Sequence, residues 1–172
     1  MTDERAKPGE MGRVAVDTSN SPMMWFNGYK NDEGKTADHF SDDGRWYITG
    51  DAGMIDENGY YYFSSRDDDV IIMAGYRLGP FEIESVLSKH PTVLESAVIG
   101  ASDDLRGEVV EAYVVLTKGT TADEALIREL QDFVKTQYAA HAFPRRIHFI
   151  DELPKTPSGK VQRYILRKQS RT

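Results

Sequence analysis

Two loop segments carry residue types suited to polar chemistry. Thr49-Gly50-Asp51 follows an aromatic, β-branched run and precedes a turn, which sets Asp51 at the rim of a sheet. A carboxylate there can accept both hydroxyls of a ribose, although an Asp after Gly is as readily a plain turn residue. Pro154-Lys155-Thr156-Pro157-Ser158-Gly159-Lys160 reads as a mobile loop with two lysines. A flexible ammonium suits charge that builds on a transferring phosphoryl group; the plain alternative is a solvated loop. Other familiar chemistries find no footing. The absence of Cys removes thiolate nucleophiles, disulfides and Cys-based zinc sites, and it fits a reducing compartment. His39, His90, His141 and His148 lack the helical spacing of a zinc pair, so they read as structural or exposed and no metal site is predicted. There is no G-x-S-x-G elbow, and Gly159-Lys160 has neither the first glycine nor the following hydroxyl of a phosphate-binding P-loop.

These segments sit in a chain of 172 residues, 40% hydrophobic, enough for one ordinary core or two small ones. A net charge of −7 argues against a chain that wraps duplex nucleic acid. That charge is unevenly spread. From Arg145 onward eight basic residues meet two acidic ones, a local +6 against −13 for everything before. A basic terminal run is a solvated helix face or a meeting point for a small anion such as a nucleotide. The first residues have no apolar signal-like stretch, and no run approaches the roughly 18 apolar residues of a bilayer span, so a soluble, cytoplasmic protein is expected.

Alternation predicts a strand over Gly12–Asp17, after a loose lead-in over residues 1–11. Thr18–Asp43 reads as mostly irregular, with a short helix around Thr36–Phe40. Trp46–Thr49 and Tyr60–Phe63 form a hairpin around Asp56-Glu57-Asn58-Gly59, a sheet with no helix to cover it and one face left open. Arg66-Asp67-Asp68-Asp69 reads as a connector, because three adjacent carboxylates cannot all be buried. Beyond it come a strand at Val70–Met73, a glycine-bracketed loop over Ala74–Gly79, a helix starting at Pro80 with Ile83, Val86 and Leu87 inward, and strands at Ser96–Ile99 and Val109–Leu116. A helix over Thr121–Ala139, a strand over Arg146–Ile150 and a basic helix over Val161–Arg167 complete an α+β layer of about 100 residues.

Four segments, in order, resemble the last motifs of the adenylate-forming acyl-CoA synthetases: Trp46–Asp51, Ser65–Ile71, Ala74–Glu84 and Pro154–Lys160. Gly9–Gly12, Gly28-Tyr29 and Lys35–Ala37 resemble that family's lead-in, so the likeness covers nearly the whole chain. Ser65-Arg66-Asp67-Asp68-Asp69-Val70-Ile71 followed by Gly75–Glu82 is most similar to the medium-chain acyl-CoA ligase branch. The resemblance implies an α+β fold: a small C-terminal domain of strands and helices in layers, preceded by a β-rich hairpin and barrel remnant of a large N-terminal domain. It divides the chain into residues 1–65, a hinge at 66–69, and a swinging domain at 70–172.

The implied reaction joins a carboxylic acid to ATP with release of pyrophosphate, then passes the acyl group from AMP to coenzyme A. ATP and CoA are the implied co-substrates, with Mg2+ bound by the N-terminal part. Carried over by position, Asp51 and Arg66 hold the ribose, Asp68 is the hinge, and Lys160 serves adenylation. Ala74, Gly75 and Tyr76 flank the pantetheine path, with Arg77 near the nucleotide or substrate. Arg106, Lys135, Phe143, Pro144 and Arg145 match positions that grip CoA. Two departures stand out: Ser65 where many relatives have Gly, and Asp67 as a third acid beside the hinge. On this resemblance the chain is a fragment of a longer ligase, inactive alone, with the N-terminal domain as partner. The competing readings are a stand-alone module that binds CoA, nucleotide or a protein, and an adenylation domain serving a carrier protein.

Overall fold

The computed structural model describes residues 5–170; the start of the lead-in, at residues 1–4, and Arg171 of the basic tail lie outside the described residues. The chain forms two compact units that divide between Asp68 and Asp69.

The first unit is an antiparallel sheet of β1 (Gly12–Asp17), β2 (Trp46–Ile55) and β3 (Tyr61–Arg66), in that order. The β2–β3 turn is closed by Asp56, whose carboxylate accepts from the amides of Asn58 at 2.9 Å and Tyr60 at 2.8 Å. Both strands outrun their aromatic runs. The expected strand ends at Thr49, yet β2 passes on through Gly50, Ala52 and Gly53, with a register shift at Ala52/Gly53 and φ +80° at Gly50. A Cβ on Gly53 would lie 2.6 Å from the Tyr62 carbonyl oxygen, so only glycine fits at that bulge. The short helix α1 spans Glu33–Ala37, a few residues earlier than expected, because the Asp32 carboxylate accepts from the Lys35 amide at 2.9 Å and caps it there. The stretch expected to be irregular holds an aromatic cluster, with Phe26 5.0 Å and His39 5.7 Å from the Tyr47 ring, centroid to centroid. As expected of an uncovered sheet, Ile55, Tyr60, Tyr61, Tyr62 and Phe63 are exposed.

The second unit carries β4 (Ile71–Met73), β5 (Tyr76–Leu78), β6 (Val93–Asp103), β7 (Gly107–Leu116) and β8 (Arg146–Phe149) in one sheet, with α2 (Pro80–Leu87), α3 (Glu124–Gln137) and α4 (Arg163–Ser170). β6 covers one edge of β7 from Leu116 back to Gly107. β4, at Gly107, and the parallel β8, at Glu111–Val114, therefore share the other edge. Alternate residues of β7 face opposite layers. Val110, Ala112 and Val114 join Ile83, Leu87, Leu126, Leu130 and Val134 of α2 and α3 in one core. Tyr113 and Val115 join Ala97, Ile99, Leu153 and Leu166 in another, under α4.

One expectation is corrected. The segment read as a loop after β4 holds β5, paired Ile71 with Leu78 through Met73 with Tyr76; the glycines that suggested a loop mark only its ends. The Asp67–Asp69 connector forms one 3-10 turn in which the three carboxylates are not all buried: the Asp68 side chain is 71% exposed, while that of Asp69 is 12% exposed and ion-paired to Arg163 and Arg167. Opposite charge supplied from α4 is what permits the partial burial of Asp69.

Candidate functional site

In the first unit Asp51 and Arg66 are register partners on β2 and β3. The Arg66 Nη1 donates to Asp51 Oδ1 at 3.1 Å and to the Thr49 carbonyl at 3.2 Å. Its Nε lies 3.5 Å from Asp68 Oδ1. The guanidinium crosses Gly50, where a Cβ would meet Nη2 at 2.6 Å. Among the described residues the Asp51 carboxylate accepts on Oδ1, which leaves Oδ2 able to accept a further hydrogen bond. Tyr61 belongs to the same group: partial burial pushes its phenol up, and the charge of Asp51 pushes in the same direction. Sequence reading missed Tyr61 because nothing in an aromatic strand marks which ring stands beside a carboxylate. Gly50→Ala is expected to displace the Arg66 guanidinium and, through the positive φ, to destabilise the unit by about 1–2 kcal/mol. A lower unfolding midpoint is the readout; an unchanged midpoint defeats the prediction.

In the second unit Ala74 and Gly75 are the two-residue turn between β4 and β5, with φ +48° and +87°. Positive φ at both positions is what a primed hairpin turn requires, and it is unusual for the alanine. The Ala74 amide donates to the Arg106 carbonyl at 3.0 Å, so the hairpin tip sits against the β6–β7 turn. That turn is built by Asp103, whose Oδ1 accepts from the Leu105 and Arg106 amides at 3.1 and 2.9 Å. Tyr76 stacks on His141 with centroids 4.5 Å apart, a partner that sequence reading left out. Next to it, Lys135 Nζ and the Arg145 guanidinium lie 4.3 and 4.1 Å from the Phe143 ring. Gln131 donates to the Pro144 carbonyl at 3.0 Å, and the Arg145 amide to the Val110 carbonyl at 2.8 Å. Ala74, Gly75, Tyr76, Arg106, Lys135, Phe143, Pro144 and Arg145 thus gather along the edge of β7 that β4 and β8 share. Arg77, on β5, is exposed.

The Pro154–Lys160 loop is more ordered than its composition implies. Lys155 bridges to Val161, the Thr156 amide donates to the Lys160 carbonyl at 2.8 Å, and the Gln162 amide to the Pro154 carbonyl at 2.8 Å. The two lysines differ. Lys155 donates to both oxygens of Glu95 at 2.7 Å, while the exposed Lys160 ammonium has no ion pair among the described residues. The basic tail likewise does not form one anion patch. Arg146 pairs with Glu111, Arg163 with Glu84 and Asp69, and Arg167 with Asp69. Three of the eight basic residues from Arg145 onward, Arg146, Arg163 and Arg167, thus pair with largely buried carboxylates.

Residues 82–160 match the AMP-binding enzyme C-terminal domain. The chain is 50% identical over 165 residues to the mitochondrial acyl-coenzyme A synthetase ACSM5 of Homo sapiens, covering 94% of this chain and 28% of that protein. It is 47% identical to mitochondrial ACSM3 of Pongo abelii over the same shares. Over most of its length the chain is similar to acyl-coenzyme A synthetases, and within it residues 82–160 carry the AMP-binding enzyme C-terminal domain. Among solved structures, ATP-bound MatB from Rhodopseudomonas palustris aligns with a TM-score of 0.79 at 39% identity, over 95% of this chain and 31% of that one. The anthranilate CoA ligase AuaEII with anthranoyl-AMP aligns at 0.81 and 36%, over 96% and 31%. The layered α+β fold is that of these adenylate-forming enzymes, and the chain spans under a third of the length of the relatives it matches. Among the described residues no helix is long and apolar enough to cross a membrane.

Proposed function

We propose that this chain is the C-terminal segment of an AMP-forming acid–CoA ligase, acting on a carboxylic acid of the medium-chain fatty class and inactive by itself. The observation that carries the reading is the ordering of charges: Lys160 stands uncommitted at the end of a hydrogen-bonded loop whose other lysine is spent on Glu95. In the proposed first step a carboxylate oxygen attacks the α-phosphorus of ATP. A P–O bond forms, and pyrophosphate leaves with the electron pair of the bond that breaks. Lys160 offsets the charge that grows on the phosphoryl oxygens, while Asp51 and Arg66 hold the ribose. In the second step the CoA thiol, losing its proton, attacks the acyl carbonyl and AMP leaves. Gly75 lets pantetheine pass close to the backbone, between Ala74 and Tyr76. Arg106, Lys135 and Arg145 hold the phosphates and adenine. Asp68 is the hinge on which the second unit turns between steps. No group of three or more His, Asp or Glu among the described residues could hold a metal ion, so this segment does not fit as the Mg2+ ligand set and no step runs through it.

The test is to assay the intact ligase for acyl-CoA, AMP and pyrophosphate, and then to compare Gly75→Leu with the parent. A side chain on an exposed tip at φ +87° should cut acyl transfer from supplied acyl-adenylate by about a hundredfold while ATP–pyrophosphate exchange stays within about twofold. Equal losses in both would sink the CoA assignment. A protein that never exchanges pyrophosphate, yet binds CoA in a manner lost with Arg106→Ala, would be a binding module.

A further inference from the structure

Asp68 and Asp69, neighbours in sequence, each carry an ion pair. Asp68 lies 3.5 Å from Arg66, within the first unit. Asp69 is held within the second by α4: Oδ2 is 3.5 Å from Arg163 Nη1, and Oδ1 pairs with Arg167. Arg163 is itself fixed, donating to both oxygens of Glu84 at 2.6 and 2.9 Å and to the Val98 carbonyl at 3.3 Å. Glu84 also accepts from the Val98 amide at 2.8 Å. The side chains of Asp69, Glu84, Arg163 and Arg167 are only 12, 15, 21 and 26% exposed, which sets them apart from the surface ion pairs of this chain.

What this cluster holds is the base of the Lys160 loop. Arg163 opens α4 three residues after Lys160, and the loop between them is closed on Pro154 by Gln162 and on Lys155 by Val161. On the other side Lys155 is anchored to Glu95 of β6.

We propose that Asp69 is a positioning residue which, through Arg163 and Arg167, couples the hinge to the Lys160 loop. The inference rests on the ligase reading above and adds to it an adenylation-specific role for a carboxylate that touches neither nucleotide nor thiol. The physical reason is that a flexible lysine contributes to phosphoryl transfer only when its base is fixed, since a displacement of about 1 Å in a positioned group can cost about a hundredfold. Rotation at Asp68 then carries the loop as part of the hinge's own rigid side, and is not diluted along α4.

In the intact ligase, Asp69→Asn is expected to lower ATP–pyrophosphate exchange about tenfold to a hundredfold, while acyl transfer from supplied acyl-adenylate to CoA stays within about twofold. Asp69→Glu should restore most of the loss. If Asp69→Asn does not fold, Arg167→Gln, which leaves Arg163 on Asp69 and Glu84, should show the same split to a smaller degree. Equal falls in both half-reactions, a fall in neither, or no rescue by glutamate would overturn the proposal. Lys160→Ala run in parallel separates the two claims. If it abolishes exchange and the Asp69 variants do not, the coupling is wrong and the ligase reading stands; if Lys160→Ala leaves exchange intact, the reading fails and takes the coupling with it.

Discussion

Lys160→Ala in the intact ligase should cut ATP–pyrophosphate exchange by about two to three orders of magnitude, the range seen when one preorganised charge donor is removed from a developing oxyanion. Acyl transfer from supplied acyl-adenylate should change by less than about twofold, because Lys160 is assigned only to adenylation. Lys155→Ala is the control. Its ammonium lies 2.7 Å from both Glu95 oxygens, so its loss loosens the loop without removing the reacting charge. Exchange should therefore fall far less than with Lys160→Ala. A reversed ranking of the two lysines would show that the wrong one has been assigned.

The second large effect concerns folding. Glu111 is 1% exposed, on the face of β7 that α4 covers, and its carboxylate is fully engaged. Oε1 accepts from the Tyr113 hydroxyl at 2.9 Å and lies 3.1 Å from His148 Nε2. Oε2 accepts from Arg146 at 3.1 Å and Ser170 at 3.0 Å. One side chain thus ties β7 to β8 and to the end of α4. Glu111→Ala should destabilise the second unit by about 3 kcal/mol, the lower end for breaking a buried pair, because the half-exposed Arg146 and His148 can turn to water. Denaturant unfolding measures it, and a loss under about 1 kcal/mol would mean that the network is not integral to the fold. The network also fixes a pH trend. Burial, and then the hydrogen bond to Glu111, push the Tyr113 phenol above its ordinary value of 10.0. The folded state favours the neutral phenol, so this contribution is present below about pH 10 and is lost as pH rises beyond it. Tyr113→Phe should flatten that alkaline limb.

The helices and strands of the second unit were legible in sequence where periodicity is strong. Leu126, Leu130 and Val134 fall at helical spacing and are buried, and β7 reads as too apolar for two solvated faces. What could not be read was pairing across distance. Asp69 and Arg163 are 94 positions apart, so nothing local in the acidic run or the basic tail showed that a carboxylate of one pairs with a guanidinium of the other. The same holds for Glu111 with Arg146 and for Tyr76 with His141. Glycine misled in the opposite sense. At Gly50 and Gly53 it permits a strand to continue past a bulge and beneath a guanidinium, where local rules read an end. The roles proposed for Asp51, Gly75 and Lys160 rest on motif order, since each has an ordinary structural explanation when taken alone.

The Glu84–Arg163 pair has one more consequence, for how molecules of this protein behave toward each other. β6 is an eleven-residue strand at the end of the sheet order, with Val98, Ile99 and Ala101 in its middle. A long apolar edge of this kind is a template on which a second chain can add a strand. At Val98 both edge groups are already occupied: the amide donates to Glu84 and the carbonyl accepts from Arg163. A salt bridge laid across the middle of the edge fills the hydrogen-bonding positions an incoming strand needs, and it sets two charges where that strand would pack. The cluster that steadies α4 therefore also blunts this edge against the addition of a further strand.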